Sequence, residues 1–208
     1  MSLMKLKQPF KKKSTPRIAF FSGTFDPIHL GHITFALETL HKYQLDEIYF
    51  MPERSPLNKI VDEHYAYRVG MIKEAIKPYP NLKLLDLNDK NFTVHKTLPK
   101  LINQFPKAEL SFMFGSDKVP SMTKWPNFST FLKRADLIIG LRNKDCKSDI
   151  EQYFIDYPKS KLKYVESFAP NLSSSMIRDL LYNNVRPQGV LPSVFKYIRH
   201  HWLYVSIN

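Results

Sequence analysis

Two histidines, His29 and His32, stand three residues apart in the stretch Ser22-Gly23-Thr24-Phe25-Asp26-Pro27-Ile28-His29-Leu30-Gly31-His32. On a helix that spacing puts both imidazoles on one face, where they can approach the same ligand. The preceding Asp26-Pro27 reads as a helix start, because an Asp side chain accepts orphan first-turn amides and Pro sits well at the first helical position. Unpaired amides, the positive end of a helix dipole and two imidazoles together suit a phosphate. Ordinary surface histidines and a metal pair are the competing readings. Zinc takes three or four ligands, and neither a Cys-x-x-Cys nor a carboxylate-bearing His motif accompanies these two. A second cluster, Ser173-Ser174-Ser175 with Arg178, opens a run of apolar residues at helical spacing. The serines can cap that helix. An arginine in a first turn opposes the helix dipole, and an anion beside it would offset the conflict.

These groups must be held by elements, and the hydrophobic pattern supplies them. Apolar runs of strand length lie at Arg17–Phe21, Asp46–Met51, Leu82–Leu87, Glu109–Phe114, Ala135–Leu141 and Leu162–Val165. Helical spacing covers Ile33–His41, Val61–Lys77, a segment with Pro99 in its first turn, the stretch from the serine cluster through Leu181, and Leu191–Ile198. The segment Glu53–Ile60 reads as a loop. Strand, helix and strand in succession call for right-handed crossovers. The fold class expected is α/β, a Rossmann-like doubly wound parallel sheet of five to six strands in a single domain over residues 17–208. In such a sheet ligands bind beyond the carboxyl ends of strands where the order reverses, which sets Gly115-Ser116-Asp117 beside the histidine turn.

With 208 residues and 43% hydrophobic composition, the chain suffices for one domain with a sizeable core. Its one cysteine, Cys146, excludes an intramolecular disulfide and fits a reducing, cytoplasmic setting. No apolar run approaches the ~18 residues of a membrane span. The formal charge of +12 invites a nucleic-acid reading, but Lys5, Lys7, Lys11, Lys12, Lys13 and Arg17 all precede the first acid, Asp26. Residues 1–16 therefore read as a basic, flexible N-terminal tail. The remaining excess suits ligands that carry several phosphates, so nucleic acid is not the partner expected. The glycines, at 23, 31, 70, 115, 140 and 189, form neither a Gly-x-Gly-x-x-Gly fingerprint nor a Walker loop, which removes dehydrogenase and P-loop readings.

Gly23-Thr24-Phe25-Asp26-Pro27 with His29-Leu30-Gly31-His32 resembles the nucleotidyltransferase superfamily signature, whose paired histidines handle phosphates in nucleoside monophosphate transfer. The pantetheine-phosphate branch usually carries Thr where this chain has His29, and histidine at both positions resembles the nicotinate mononucleotide adenylyltransferases. Asn171-Leu172-Ser173-Ser174-Ser175-Met176-Ile177-Arg178 resembles the second signature, Ile-Ser-Ser-Thr-x-Ile-Arg, with Leu172 for Ile and Ser175 for Thr. Pro56-Leu57-Asn58-Lys59 resembles a Pro-Pro-His-Lys loop that reaches the mononucleotide phosphate, with an uncharged Asn58 in place of His. Phe92 to Leu98 resembles Tyr-Thr-x-Asp-Thr-Leu, with one extra residue between Thr93 and Thr97 and no Asp. Tyr67 to Met71 resembles the family's Arg-x-x-Met helix, a packing element. Trp125 aligns with a tryptophan that stacks on the pyridine, although a lone Trp is also an ordinary core residue. Asp117 corresponds to a ribose-binding Gly-x-Asp, and as a helix cap it would have a structural role instead.

The resemblance implies adenylyl transfer from ATP to nicotinate mononucleotide, giving nicotinate adenine dinucleotide and pyrophosphate in NAD biosynthesis. Catalytic roles then fall to His29, His32 and Arg178, and ATP binding to those three with Gly23, Thr24, Phe25, Gly115, Asp117, Ser173, Ser174 and Ser175. Asn58, Lys59, Thr93 and Trp125 would hold the mononucleotide. No protein metal site is implied; Mg²⁺ would ride mainly on the ATP phosphates and water. Alternatives are another acceptor, nicotinamide mononucleotide or phosphopantetheine, and a non-catalytic nucleotide- or RNA-binding relative. A homo-oligomer is compatible with the sequence.

Overall fold

The computed structural model describes residues 15–56, 61–142, 145–166 and 172–205. In order, its elements are β1 (Arg17–Gly23), α1 (Leu30–Lys42), β2 (Glu47–Pro52), α2 (Tyr65–Ile76), β3 (Leu82–Leu84) and α3 (Thr97–Gln104). They continue through β4 (Glu109–Gly115), a 3-10 turn (Ser116–Lys118), α4 (Val119–Met122), α5 (Phe128–Leu132) and β5 (Asp136–Leu141). The last are α6 (Lys147–Gln152), β6 (Leu162–Glu166), α7 (Ser174–Tyr182) and α8 (Pro192–His200).

Strand β1 shows why the sheet is parallel. Its Ala19 and Phe21 join one apolar cluster, and the intervening Ile18 and Phe20 join the other. A strand buried on both faces loses the polar alternation of a half-solvated one, as in sheets covered by helices on each side. The described strands pair in the order β3-β2-β1-β4-β5-β6, every neighbouring pair parallel. Apolar residues of α1, α2, α7 and α8 fill one cluster, and those of α3, α4, α5 and α6 fill the other. The expected doubly wound, single-domain α/β fold is thus the one observed, with six strands among the described residues. Strand order reverses between β1 and β4, so the turns leaving Gly23 and Gly115 share one crevice.

Three boundaries differ from the sequence pattern, each for a tertiary reason. Helix α1 starts at Leu30 with His29 as N-cap, not at Asp26-Pro27, because Asp26 is 2% exposed and its carboxylate is bonded elsewhere. Helix α2 starts at Tyr65, not Val61, and the Asp62 amide meanwhile donates to Asp26 Oδ2 at 2.8 Å. Strand β3 stops at Leu84, and Asp86 turns its carboxylate to Arg54 in an ion pair at 2.8 Å. Pro99 does sit in the first turn of α3. Asn58, Lys59 and residues 1–14 of the basic segment lie outside the described residues. Pro16 already belongs to the sheet border, its carbonyl accepting from the Glu109 amide at 2.8 Å. No helix among the described residues is long and apolar enough to cross a membrane.

Candidate active site

The loop from β1 to α1 folds back on itself through Phe25, which has φ of 53° and is buried. Gly23 permits that fold, since a Cβ there would meet the Phe25 ring at 2.9 Å. The Asp26–Pro27 peptide is cis. His29 then caps α1 in an extended conformation, and its ring lies against that of His32 with centroids 3.7 Å apart. The His29 amide donates to His32 Nδ1 at 3.2 Å. An accepting Nδ1 assigns the His32 proton to Nε2. The edges of Phe25 and Phe21 flank the His32 ring, with centroids at 5.1 and 5.9 Å.

The two histidines are not electrically alike. Burial, reinforced by the Arg142 guanidinium, lowers the His29 pKa to about 4. At neutral pH His29 is an uncharged ring, and its buried Nδ1 has no hydrogen-bond partner among the described residues. The site the sequence suggests is therefore modified in one respect: His29 offers a neutral, polarisable edge, and cationic character comes from the arginines around it. The helix amides are also partly committed, because the Leu30 amide donates to the Gly189 carbonyl at 2.7 Å.

Arg178 and the serines approach the same turn from α7. The Arg178 Nη1 donates to the Asp26 carbonyl at 2.8 Å and its Nε pairs with Asp62 Oδ2 at 2.7 Å. Ser174 Oγ donates to the Pro27 carbonyl at 3.0 Å. Ser173 Oγ accepts from the Met176 amide at 3.2 Å, the capping role its position suggests. Ser175 is exposed. Of the three serines, the first caps, the second docks the helix and the third faces solvent.

Buried Arg68, 1% exposed, ties three loops together by donating to the carbonyls of Thr24 (2.6 Å), Glu63 (3.2 Å) and Arg54 (3.4 Å). With Met71, also buried, it is the packing element the sequence suggests. Asp62, Tyr204 and Arg142 have no counterpart in the sequence reading, since no local pattern marks them. Tyr204 lies 178 positions from the Asp26 it contacts.

On the β4 side, a Cβ at Gly115 would meet Asp117 Oδ1 at 2.5 Å, so the glycine is what lets this carboxylate fold back over the strand end. Asp117 is half-exposed and pairs with Arg142 Nη2 at 3.5 Å. Asp145 braces the turn by accepting from the Arg142 amide at 2.7 Å and from Ser116 Oγ. No side-chain cap bond assigns Asp117 to a helix.

The residues assigned to the mononucleotide are more dispersed. Trp125 is half-buried, its ring 5.6 Å from Phe92 and 5.7 Å from Phe114, so it packs against the edge of the core. The Thr93 amide donates to Thr97 Oγ1 at 3.0 Å and its own Oγ1 is buried with no partner among the described residues. Beside Thr93, a small open concavity lies at the carboxyl ends of β1, β2 and β3, lined among others by Ser22, Glu53, Asp89, Phe92 and Thr97. Asp89 is neutralised there by Lys100 at 2.5 Å.

This geometry has counterparts in known proteins. Residues 20–180 match the family described as cytidylyltransferase-like. A probable nicotinate-nucleotide adenylyltransferase of Methylacidiphilum infernorum is 31% identical over 94% of this chain and 95% of that protein. One of Flavobacterium psychrophilum is 31% identical over 90% and 98%. In fold, the chain is similar to the Plasmodium falciparum nicotinic acid mononucleotide adenylyltransferase complexed with NaAD, with a TM-score of 0.77 at 20% identity over 91% of this chain and 97% of that one. The chain belongs to the cytidylyltransferase-like family and, within it, to the nicotinate-nucleotide adenylyltransferases.

Proposed function

We propose that this protein transfers the adenylyl group of ATP to nicotinate mononucleotide, releasing pyrophosphate and forming nicotinate adenine dinucleotide for NAD biosynthesis in the cytoplasm. The observation that carries the reading is the closely apposed His29–His32 pair at the start of α1, with Arg178 bonded to the same turn and Arg142, paired with Asp117, near His29. An oxygen of the acceptor phosphate attacks the α-phosphorus of ATP, and the bond from that phosphorus to the bridging oxygen breaks as pyrophosphate leaves. The nucleophile is already anionic at neutral pH, so no general base is needed. What remains is to align two polyanions and stabilise the charge that develops between them.

In this reading His32 Nε2–H donates to the transferring phosphate. His29, Thr24 and the backbone at Gly23 and Phe25 line its path, and Arg178 with Ser173, Ser174 and Ser175 serves the outer phosphates. Asp117, freed by Gly115, accepts from the ribose. Lys59 and Asn58 take the mononucleotide phosphate, and Thr93 and Trp125 its ring. Mg²⁺ enters with ATP, held mainly by phosphate oxygens and water; among the described residues no group of three or more His, Cys, Asp or Glu side chains could hold a metal ion.

The Glu53 carboxylate in the neighbouring pocket favours one second acceptor. It repels the carboxylate of nicotinate and accepts a bond from a carboxamide, which suits nicotinamide mononucleotide. The test is pyrophosphate release from ATP with nicotinate mononucleotide, nicotinamide mononucleotide and phosphopantetheine in parallel. The highest kcat/KM is expected with nicotinate mononucleotide. Release with none of them would overturn the enzymatic reading, and preference for another acceptor would replace the substrate.

A further inference from the structure

The carboxylate of Asp26 lies inside the histidine turn, 2% exposed, with both oxygens engaged from elsewhere in the chain. Oδ1 accepts from the Tyr204 hydroxyl at 2.6 Å and Oδ2 from the Asp62 amide at 2.8 Å, while the Asp26 carbonyl takes Arg178 Nη1 at 2.8 Å. Three elements thus converge on the residue three positions before His29. Tyr204 is itself deeply buried: it is 2% exposed, and its ring meets that of Tyr182 at 6.3 Å. Its backbone and that of Trp202 adopt φ of 57° and 55°, a left-handed conformation unfavourable to side chains of this size. Such a backbone persists where its surroundings fix it. Here the Tyr204 amide is held by Glu63 Oε1 at 3.0 Å and the Leu203 amide by the Ile198 carbonyl at 3.1 Å. Burial and the neighbouring Asp26 drive the phenol pKa far up, so the hydroxyl donates at every working pH.

We propose that Tyr204 is a positioning residue for adenylyl transfer, holding the histidine turn against the Arg178 helix through its hydrogen bond to Asp26; this rests on the reading of the site given above. The bond touches no reacting atom. It fixes residue 26, whose carbonyl orients the Arg178 guanidinium and whose following Pro27 carbonyl receives Ser174 Oγ, so one hydroxyl sets the mutual registration of the imidazoles and the arginine. When catalysis consists of alignment, a small loss of registration lowers the rate of transfer more than the binding of either substrate.

The test is Tyr204→Phe in the full chain, which removes the donor and keeps the ring. The expected result is a fall in kcat of roughly tenfold, with KM for ATP and for nicotinate mononucleotide within about twofold of wild type. Leu203→Ala, a truncation of the adjacent buried residue, is the control: it should lower thermal stability and leave kcat within about twofold, because no bond to Asp26 is lost. Asp26→Asn disturbs the same link, because its single side-chain oxygen can accept from only one of the two donors, the Asp62 amide and the Tyr204 hydroxyl. In a double-mutant cycle the two losses should not multiply. Unchanged kcat in Tyr204→Phe, an equal kcat loss in Leu203→Ala, or multiplying losses would each overturn the proposal. Hydrogen exchange gives a readout independent of turnover: protection of the His32 and Ile33 amides should fall in Tyr204→Phe while that of the β4 amides does not. Should the wild type release no pyrophosphate with any acceptor, the functional reading fails, and exchange alone still decides the role of Tyr204.

Discussion

His29 and His32 differ in what their surroundings permit, and two measurements separate them. His32 carries its proton on Nε2 because its Nδ1 accepts from the His29 amide, and in the proposed reaction His32→Ala is expected to lower kcat by at least about 10²-fold, the scale of losing one preorganised donor to developing charge. Circular dichroism should show the fold intact, and wild-type turnover in that variant would remove His32 from the mechanism. His29 carries a stability signature. Its folded pKa of about 4 lies below the ordinary value of 6.5, so the unfolded chain binds its proton first. Its contribution is complete above pH 6.5 and is lost as pH falls toward 4, in total by about 3 kcal/mol. His29→Gln cannot titrate, and urea unfolding across that window should show a flatter dependence than the wild type; parallel curves would contradict the buried, neutral ring. The histidine pair was legible because chemistry and spacing coincide within four residues. Asp26 was misread because Asp before Pro carries the signature of a helix cap, and nothing local reveals that its carboxylate is claimed by Tyr204 and Asp62.

The turn leaving β4 offers a test of one element in isolation. Gly115 has φ of −70° and ψ of 150°, a conformation alanine adopts without strain. Its missing Cβ matters only to the Asp117 carboxylate. Gly115→Ala should therefore leave thermal stability near wild type while displacing Asp117, raising KM for ATP roughly 3- to 10-fold by the loss of one hydrogen bond. An unchanged KM would exclude Asp117 from the ribose. Elements of this kind were readable from the sequence where one strand buries both faces, as β1 and β5 do, because their apolar runs are continuous. Boundaries were readable less well. Helix α2 starts late where Asp62 turns to Arg178, and strand β3 stops short where Asp86 turns to Arg54. Likewise, the first amide of α1 is taken by Gly189, a residue of the far C-terminal segment with φ of 93°. Local periodicity has no access to such pairings.

At the scale of the whole molecule, the parallel sheet collects every strand exit on one side, and the charge of the chain is unevenly spread around it. Five lysines precede residue 15, and removing residues 1–14 takes the formal charge from +12 to +7. At physiological ionic strength such charges are screened within about 8 Å. The truncated protein should therefore keep kcat/KM for ATP within about twofold. A large loss would show that the leading segment belongs to the site, and an unchanged stability would locate that loss in binding. The fold class was the most legible level of all, since alternating strands and helices leave few topologies. One consequence of the contact between Tyr204 and Asp26 concerns synthesis. The two residues emerge 178 positions apart, which at 5–20 residues per second is on the order of 10–40 s. Through that interval a carboxylate made for burial waits without its donor, and the part of the enzyme translated first is the part completed last. A polypeptide released early, or clipped just before residue 204, would keep both histidines and Arg178 and still lack the hydroxyl that registers them.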